Sequence, residues 1–589
     1  MPMKPFLLLM KILLLIIFFK TAIPLKGQTI KSSVFGQNAW YINVANLNPS
    51  ADIPWSEVEA SGVKYVRIGG IEPNFFPMYT WDVNDLSITL NSEVQKLTSV
   101  IDKIREYHME PIVQVGYDPL PACTTAGAPT QPLNGLTRTQ QATIAGNLVG
   151  FLKNYYSINK IKYWVIANEP NHGKSCGTQR GEWGGYSWNT SSDAVKIAEY
   201  IKEFSVKMKT ADEDIKIMGP ELNYYDPNIM NKLLNGGTSA ENITGSFTIG
   251  SNTHYYIDYV TFHYYPFASN SIGSRTDVIT NLRNANQFSA RIQEVKDKFS
   301  VGNPLAHRTL SNLGIGITEA NLNYLSSNGQ GSPGLSSETF LGGQFWAEMM
   351  SIAMEKGIDF LNFWSIKEGG LLSYINSNNE KRPSYHHFSM IANNFKGTYY
   401  PSTASPTNLK AFASKSSNEV VVMLLNQNTS TQTYTIDLNS TTNGTIRFST
   451  GIVGTFQCEI AGEATSLLRF DLSGTLIQHT SYSINDPAPS NFTYNHSTTY
   501  NNYTVSGTET WNTSRSLKGT LTVNGTLNII ANLEVAPGAI IIVNGVLNVS
   551  NNAFIKPIGN CPGPWEGLQV NYNGAYNMDE STVEFKQGL

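Results

Sequence analysis

The chain has 589 residues, of which 41% are hydrophobic and 15% are charged, so it is globular material long enough for two or three domains. Its formal net charge of -4 provides no basic field for nucleic acid or for an anionic membrane surface. The composition therefore excludes a disordered chain, disfavours a nucleic-acid-binding protein and favours a neutral partner.

Residues 1–27 have the pattern of a secretory signal peptide. Lys4 precedes an apolar stretch that is interrupted only by Lys11 and stops at Lys20, which is short for a membrane span. Cleavage is expected after Ala22 or Gly27, and the alternative is an uncleaved N-terminal anchor. In either case the body of the protein is expected to be secreted or at the cell surface, with no membrane span in the mature protein.

Eight candidate strands lie between residues 28 and 395. They are 32–40, 63–70, 111–117, 161–169, 215–221, 259–265, 313–320 and 358–365. Stretches with helical spacing separate them, for instance Val94, Leu97, Val100, Ile101 and Ile104. Near-continuous apolar strands joined by such helices predict an α/β fold, a parallel (β/α)₈ or TIM barrel over residues 28–395. A doubly wound open sheet is the alternative, although no glycine-rich phosphate turn follows the first strand.

The pattern changes after residue 395. Residues 396–480 alternate apolar and polar positions and predict an antiparallel β-sandwich, whereas 481–510 are rich in Asn, Ser, Thr and Pro and predict a linker or an edge segment. In residues 511–589, "VNGTLN" at 523–528 recurs as "VNGVLN" at 543–548. This repeat predicts a β-rich segment, either a β-solenoid that starts a β-helix or a pair of hairpins. A solenoid there is expected to hold substrate or attach the protein to a surface.

The cysteines and histidines indicate no metal site. The four cysteines, Cys123, Cys176, Cys458 and Cys561, are too few for a disulfide framework and lack ligand spacing. Cys123 and Cys176 fall in loops after neighbouring predicted strands, and export permits disulfides, so we expect these two to pair. The nine histidines are scattered without a ligand motif, so neither a metal nor a cofactor is expected.

Polar and aromatic side chains lie at the carboxyl ends of the predicted strands, where the chemistry of such barrels takes place. In chain order they are Arg67, Asn168, Glu169, Glu221, His263, Tyr265, Glu319 and Trp364. Glu169 and Glu319 end the fourth and seventh strands, nearly opposite each other across the mouth of the barrel. Because a carboxylate is costly to bury unless it is paired or functional, we predict that these two form the working pair, rather than Glu169 serving only as a helix cap or an ion-pair partner.

Four motifs carry a resemblance to a known group of enzymes. "ANEP" ends the fourth strand, "FHYY" lies on the sixth, "ITEAN" on the seventh and "NFWS" on the eighth. Together they resemble the 4/7 superfamily of retaining glycoside hydrolases, clan A, which are built on (β/α)₈ barrels, and the resemblance covers residues 32–395. It implies that Glu169 is the acid/base, Glu319 the nucleophile and Asn168 a donor to the sugar 2-hydroxyl.

The two carboxyls need different protonation states for this role. A retaining enzyme places them about 5–5.5 Å apart, one protonated and one ionised. Arg67 is expected to lie beside Glu319 and to lower its pKa, while a neighbouring anion is expected to raise the pKa of Glu169. His263 and Tyr265 lie two residues apart and face the same way, so one is expected to contact Glu169 and the other Glu319. A core histidine without a catalytic contact is the alternative for His263.

Aromatic residues and one further carboxylate complete the candidate site. Trp364 is expected to form the apolar floor under a sugar ring. Trp183, Tyr186 and Trp188 lie in the loop after the fourth strand, where they either extend the sugar-binding surface or pack that loop onto the barrel. Glu221 is expected to bind substrate hydroxyls or to serve as a structural partner.

The sequence thus predicts a secreted retaining glycoside hydrolase that cleaves β-linked polysaccharide or oligosaccharide, with endo action expected. The long loops after the third and fourth strands predict the walls of an extended cleft, which does not separate endo from exo action. A non-catalytic carbohydrate-binding protein or adhesin on the same barrel is the alternative from another class. An inverting hydrolase is a third possibility, for which the carboxyls would lie about 6.5–9.5 Å apart.

Overall fold

The structure, a computed structural model, describes residues 27–39, 52–69, 78–116, 136–172, 188–267, 272–300, 308–323, 335–368, 371–442, 444–493, 498–536, 539–550, 552–557, 567–578 and 582–583. The chain forms two compact units. One spans Lys31–Asn394, and the other combines the residues up to Ile30 with those from Phe395 onward.

The first unit is a closed barrel of eight parallel strands. In chain order these are Gly36–Ala39, Tyr65–Ile68, Glu110–Val115, Tyr163–Ile166, Lys216–Leu222, Tyr259–Tyr264, Gly314–Ala320 and Phe360–Phe363. Each strand pairs with the next along the chain, and the eighth closes on the first through Asn362 and Gly36. The predicted (β/α)₈ barrel is confirmed, and the open sheet is excluded because an open sheet has two unpaired edges.

Helices follow the strands and cover the outside of the barrel. The α-helices are Trp55–Ala60, Ser92–Glu106, Arg138–Tyr155, Ala194–Ala211, Pro227–Asn231, Arg275–Asn281, Phe288–Lys298, Phe340–Lys356 and Pro383–Asn394. Short 3₁₀ turns at Ser32–Val34 and Ser191–Asp193, a π-turn at Lys232–Gly236 and a hairpin of Ser246–Ile249 with Asn252–Tyr255 lie between them. The helical stripe from Val94 to Ile104 is wholly buried, as its spacing predicts.

Large side chains close the amino-terminal end of the barrel. Tyr65, Tyr163 and Tyr259 surround Phe360 with ring centroids 5.0–5.2 Å from it. Edge-to-face contacts of this kind stabilise aromatic clusters. The barrel is therefore a packed core that leaves the carboxyl ends of its strands for chemistry.

The second unit contains two β-sheets that share one core. The larger is antiparallel, and the smaller is mixed because Ile446–Arg447 pairs in parallel with Gln432–Asp437. The larger sheet consists of Gln28–Thr29, Thr398–Pro401, Leu409–Lys415, Glu419–Asn426, Ala464–Asp471, Leu476–Ser483 and Ser490–Thr493, and the smaller of Gln432–Asp437, Ile446–Arg447 and Thr455–Ile460. Inward-facing residues of both sheets, such as Val422 and Ile436, belong to a single apolar cluster. This is the β-sandwich that the alternating pattern predicts.

The C-terminal segment is a parallel β-helix. Its first wall consists of Thr498–Tyr500, Arg515–Leu517, Leu533–Val535, Phe554–Pro557 and Thr582–Val583, its second of Tyr503–Val505, Thr520–Val523, Ile540–Val543 and Gly567–Val570, and its third of Thr508–Trp511, Thr526–Ile529, Val546–Val549 and Ala575–Met578. The strands of each wall pair in parallel, which excludes the alternative of two hairpins.

The sequence repeat falls on equivalent positions of successive rungs. Asn544 donates to Asn524 at 2.7 Å, and Asn548 donates to Asn528 at 2.7 Å, which gives two ladders of side-chain amides. A Cβ on Gly545 would lie 2.1 Å from the carbonyl oxygen of Gly525, so the "NG" turn needs glycine for rungs to stack. The repeat is thus a structural requirement of stacking.

Residues 481–510, for which the sequence predicts a linker or an edge segment, contain regular strands. Ser490–Thr493 adds to the edge of the larger sandwich sheet, and the first rung of the β-helix begins at Thr498. Polar composition did not distinguish strands with one exposed face from a linker.

In the described part of the chain, every helix is too short or too polar to span a membrane.

Candidate active site

Two carboxylates meet at the mouth of the barrel. Glu169 follows the fourth strand, and Glu319 is the penultimate residue of the seventh. Oxygen atoms of both lie within 4.8 Å of one another and of a ring nitrogen of His263. Only 8% of Glu169 and 5% of Glu319 is exposed. The sequence therefore identified two groups that the fold brings together in a largely buried site.

The backbone around these carboxylates is held in an unusual conformation. Ala167, Glu169 and Glu221 have positive φ angles of 68°, 48° and 56°. Residues with a Cβ rarely adopt this region, and such strain concentrates at functional sites. The amide of Glu169 donates to the carbonyl of Glu221 at 2.8 Å, so a backbone hydrogen bond links the strained carboxyl ends of the fourth and fifth strands.

Arg67 is a wholly buried guanidinium that connects four side chains. Its Nη1 donates to Oε1 of Glu319 at 2.8 Å and to Oδ1 of Asn38 at 3.0 Å. Its Nη2 donates to Oδ1 of Asn168 at 2.7 Å and to Oε2 of Glu221 at 3.2 Å. The predicted contact between Arg67 and Glu319 is confirmed, and the planar fork fixes the positions of its acceptors.

His263 lies between three carboxylates. Its Nδ1 is 2.9 Å from Oε1 of Glu169 and 3.5 Å from Oε2 of Glu319, and its Nε2 is 3.2 Å from Oε2 of Glu221. Burial disfavours the charged ring, but the charge of Glu319 and the hydrogen bonds to Glu169 and Glu221 outweigh it and raise the pKa of His263 to about 10. His263 is therefore an imidazolium in the site and not a core histidine without catalytic contacts.

Tyr265 contacts the second carboxylate of the pair. Its hydroxyl donates to Oε2 of Glu319 at 2.9 Å. Burial and the charge of Glu319 raise the pKa of Tyr265 well above its ordinary value, so the phenol keeps its proton and remains a donor. The expected division of contacts is confirmed, with His263 at Glu169 and Tyr265 at Glu319.

The ionisation of the pair differs from the sequence prediction. Burial favours a raised pKa at Glu169, but hydrogen bonds from His172 and His263 outweigh it and lower the pKa to about 2. At Glu319 burial raises the pKa more than His263 and Arg67 lower it. The expected order, with Glu169 raised and Glu319 lowered, is wrong for the ligand-free site, because the sequence could not show that two histidines converge on Glu169.

The expected substrate-binding residues separate into two layers. Arg67, Glu221 and His263 have no exposed surface and lie behind the carboxylate pair, and Asn168 is only 3% exposed. Trp364 is 7% exposed, and its Nε1 donates to Oε2 of Glu368 at 3.1 Å. In the ligand-free site the buried layer supports the carboxylates, and contact with a sugar stays a prediction for Asn168 and Trp364.

Several predictions fall outside the described residues. These are the sugar platform at Trp183 and Tyr186, the pairing of Cys123 with Cys176, and the leader at 1–27 apart from Gly27. Trp188 is described, and its ring packs edge-on against Tyr200 with centroids 6.0 Å apart. For Trp188 the interpretation as loop packing is therefore the better one.

Three contact residues were not predicted. His172 places Nδ1 3.0 Å from Oε2 of Glu169, and Asn38 accepts from Arg67. Glu368 is a buried carboxyl whose pKa burial raises to about 7. His172 stands three residues after Glu169 in "NEPNH", and Asn38 is the penultimate residue of the first strand, so both had a signal in the sequence. Glu368 lies in an irregular loop and had none.

A metal ion is geometrically conceivable at this site. Glu169, His263 and Glu319 each offer a ligand atom within 4.8 Å of the others. However, both ring nitrogens of His263 face carboxylates and carry protons in this arrangement. Ligation would require the imidazolium to lose a proton and a hydrogen bond, so the donor set fits a proton better than a metal.

Comparisons with known proteins give similarities of backbone only. No family model matches the sequence, and no curated protein matches it. The chain is similar to a family 39 glycoside hydrolase from Bacteroides cellulosilyticus, with a TM-score of 0.47 and 13% identity over 80% of this chain and 82% of that one.

It is also similar to a GH39 β-xylosidase from Caulobacter crescentus, with a TM-score of 0.45 and 13% identity over 68% of this chain and 78% of that one. An α-L-arabinofuranosidase from Thermotoga maritima gives a TM-score of 0.45 and 14% identity over 76% of this chain and 96% of that one. These structural neighbours are glycoside hydrolases of more than one kind, and the function below is based on the geometry of the site.

Proposed function

We propose that this protein is a retaining glycoside hydrolase in which Glu319 is the nucleophile and Glu169 the acid/base. The observation that carries the proposal is the approach of their oxygen atoms to within 4.8 Å at the ends of the seventh and fourth strands. Retaining enzymes place their carboxyls about 5–5.5 Å apart, whereas inverting enzymes leave about 6.5–9.5 Å for a water molecule. The short separation favours retention over inversion.

The first step forms a covalent bond to Glu319. An oxygen of its carboxylate attacks the anomeric carbon, the glycosidic bond breaks, and the leaving oxygen takes a proton from Glu169. Arg67 and Tyr265 both donate to Glu319, so they fix the carboxylate for attack. The products are a glycosyl ester of Glu319 and an ionised Glu169.

The second step releases the sugar. Glu169 takes a proton from water, the water oxygen attacks the anomeric carbon, and the ester bond breaks to give ionised Glu319. Two inversions at the same carbon give net retention. Glu169 ends protonated, as it began, and the cycle is complete.

Substrate binding must reverse the ligand-free ionisation order. His263 Nδ1 lies 2.9 Å from Glu169 and 3.5 Å from Glu319, so a single imidazolium contacts both carboxyls. The anomeric carbon gains positive charge as the transition state forms, which favours ionised Glu319. The proton shared by the pair then belongs on Glu169, beside the leaving oxygen.

The substrate proposed is a β-linked polysaccharide or its oligosaccharides, cleaved in endo fashion. The long loops that follow the third and fourth strands in the sequence support an extended cleft. Export of the protein is part of the same proposal and is supported by the apolar stretch that ends at Lys20. Sequencing the N-terminus of the protein recovered from the medium tests cleavage and release. An intact Met1 on surface-bound protein supports the uncleaved anchor, and protein found only inside the cells contradicts export.

The reaction is tested with the parent protein and its Glu169→Gln and Glu319→Gln variants. Each is assayed on soluble glucan, xylan, mannan and galactan and on aryl β-glycosides, with the product anomers followed by NMR. We expect retained products from the parent and a loss of about 1,000-fold or more in kcat in both variants on substrates with poor leaving groups.

An activated aryl glycoside separates the two roles. Its leaving group needs little protonation, so Glu169→Gln should still form the glycosyl-enzyme on it, whereas Glu319→Gln should not. Inverted products contradict the mechanism. Sugar binding by the parent without hydrolysis of any substrate supports the adhesin alternative instead.

A further inference from the structure

Glu221 is a third carboxylate behind the catalytic pair. It has no exposed surface. Its Oε2 accepts from Arg67 and His263 at 3.2 Å each, and Thr318 Oγ1 lies 2.8 Å from Oε1 and 2.9 Å from Oε2. Hydrogen bonds and the charges of Arg67 and His263 outweigh burial and lower its pKa, so Glu221 is ionised. Its position excludes direct contact with substrate in this structure.

The buried charges can be counted from the contacts. Arg67 is always cationic. Each ring nitrogen of His263 faces a carboxylate. An ionised carboxylate can only accept a hydrogen bond, so both nitrogens carry a proton and His263 is cationic. Against these two cations stand Glu169, Glu221 and Glu319. With every group ionised the cluster carries one net negative charge, and with one added proton it is neutral.

Burial makes the neutral state the favoured one. An uncompensated charge in a buried site is costly, and the group gains or loses a proton instead. Since Glu221 is held ionised by Arg67, His263 and Thr318, the added proton belongs to Glu169 or Glu319. A double-displacement reaction starts with one protonated carboxyl and one ionised carboxyl.

We propose that Glu221 is a positioning residue that keeps one proton on the pair Glu169 and Glu319. Its negative charge balances part of the positive charge of Arg67 and His263. Without that charge the two cations would balance both catalytic carboxylates, and the pair would lose the proton that the leaving group needs. This inference rests on the proposed function for its consequence in catalysis, but the proton itself can be observed without any substrate.

Other titratable groups face the cluster. His172 Nδ1 lies 3.0 Å from Oε2 of Glu169, and its side chain is 34% exposed, so it lies at the edge of the cluster and is left out of the count of buried charges. Tyr265 faces Glu319 as a neutral phenol. Glu368 lies near Tyr265 and is itself protonated below about pH 7. It must therefore be substituted before the proton on the pair Glu169 and Glu319 is measured.

The direct test is infrared difference spectroscopy of the ligand-free protein at pH 6, in a Glu368→Gln background. A protonated carboxyl absorbs at a different infrared frequency from a carboxylate, so the band of the protonated carboxyl in the cluster can be followed. We expect one buried protonated carboxyl in this background and its loss on Glu221→Gln. Glu169→Gln and Glu319→Gln should each abolish it too, because either removes one anion.

Two control variants keep the charge. Thr318→Val removes the hydroxyl contact to Glu221, and Glu221→Asp shortens the side chain, yet both leave an anion in place. The band should persist in both. A band that persists in Glu221→Gln, or in both catalytic-pair variants, overturns the proposal. The pair variants keep the test decisive if Glu221→Gln fails to fold.

Kinetics give the catalytic readout. In Glu221→Gln the alkaline limb of kcat/KM should move to lower pH, and kcat on a poor leaving group should fall by about 100-fold, the size of a general-acid contribution, with a smaller fall on an activated aryl glycoside. An unmoved alkaline limb with equal losses on both substrates overturns the catalytic part. If the parent cleaves no glycoside but its carboxyl band is present and is lost in Glu221→Gln, the proposed function is wrong. The inference that Glu221 keeps one proton on the pair Glu169 and Glu319 is then still supported.

Discussion

At the scale of single residues, Tyr265 tests whether the nucleophile needs a fixed orientation. The phenol donates to Glu319 at 2.9 Å. A hydrogen bond to a charged group contributes about 1.5–3 kcal/mol, so Tyr265→Phe should lower kcat by about 10- to 100-fold. Steady-state kinetics on one aryl glycoside measure this, with circular dichroism as the control for folding. Unchanged kcat would contradict a role for Tyr265 in holding Glu319.

Glu368 makes a prediction about stability. Its buried carboxyl has a pKa of about 7 instead of 4.5, so the native state keeps a proton that the unfolded chain has released. The contribution of Glu368 to the free energy of unfolding should therefore fall by about 3 kcal/mol as pH rises from about 4.5 to 7, and stay flat above. Glu368→Gln keeps an acceptor for Trp364 and should remove this slope. Urea unfolding at pH 5 and pH 8 measures it, and equal slopes in both proteins would contradict the assignment.

How far single residues could be predicted depends on what fixes them. Glu169 and Glu319 follow from strand ends, because the barrel brings such ends together. The contact of Arg67 with Glu319 follows from the same geometry. The ionisation order does not, since it depends on side chains of the fourth and sixth strands that meet only in the closed barrel. The hydrogen bonds of His172 and His263 to Glu169, at 3.0 Å and 2.9 Å, decide that order.

At the scale of elements, two glycines in helices predict opposite effects. A Cβ on Gly343 would lie 2.5 Å from Nδ1 of His387 and 2.8 Å from the carbonyl oxygen of Pro383, where helix Phe340–Lys356 packs on helix Pro383–Asn394. Gly343→Ala should therefore destabilise the protein by about 1–3 kcal/mol despite the better helix propensity of alanine. Urea unfolding measures the loss.

Gly150 is the matched control. It lies in helix Arg138–Tyr155, and a Cβ there would meet Ala211 at an ordinary 3.8 Å. Gly150→Ala should stabilise the protein by up to about 1 kcal/mol. If both substitutions moved stability in the same direction, the close helix contact at Gly343 would not be what limits that position.

Periodicity predicted the elements of the barrel better than those of the tail. All eight candidate strands occur, because buried parallel strands give continuous apolar runs that end sharply. For residues 481–510 the sequence left a linker and an edge segment open. Ser490–Thr493 is an edge strand of the sandwich, whereas the first rung from Thr498 was not predicted. Their exposed faces carry Asn, Ser and Thr, the same residues that make a linker, so local composition alone does not separate the two.

At the scale of the whole molecule, two truncations separate the β-helix from the sandwich. A chain that ends after residue 497 keeps every strand of the larger sandwich sheet, whereas one that ends after 479 leaves Ala464–Asp471 with an incomplete partner strand. The first should hydrolyse soluble oligosaccharides with nearly the parent kcat. The second should expose a sheet edge and aggregate.

Activity, thermal unfolding and light scattering distinguish these outcomes. Binding of the first truncated protein to insoluble polysaccharide also tests the expectation that the β-helix holds substrate, which predicts weaker retention than for the full chain. Complete loss of hydrolysis after truncation at 497 would show that the barrel depends on the β-helix to fold.

The pairing of the chain just before and just after the barrel has a consequence for the order of assembly. Gln28 and Thr29 pair with Tyr399 and Thr398, and the amide of Ile30 donates to the carbonyl of Gly397. During synthesis the early partner emerges long before the late one, and domains fold as units from the N-terminus. The segment at 28–30 must therefore wait, unpaired, until the whole barrel has left the ribosome, so the sandwich can complete its sheet only after the barrel has had time to fold.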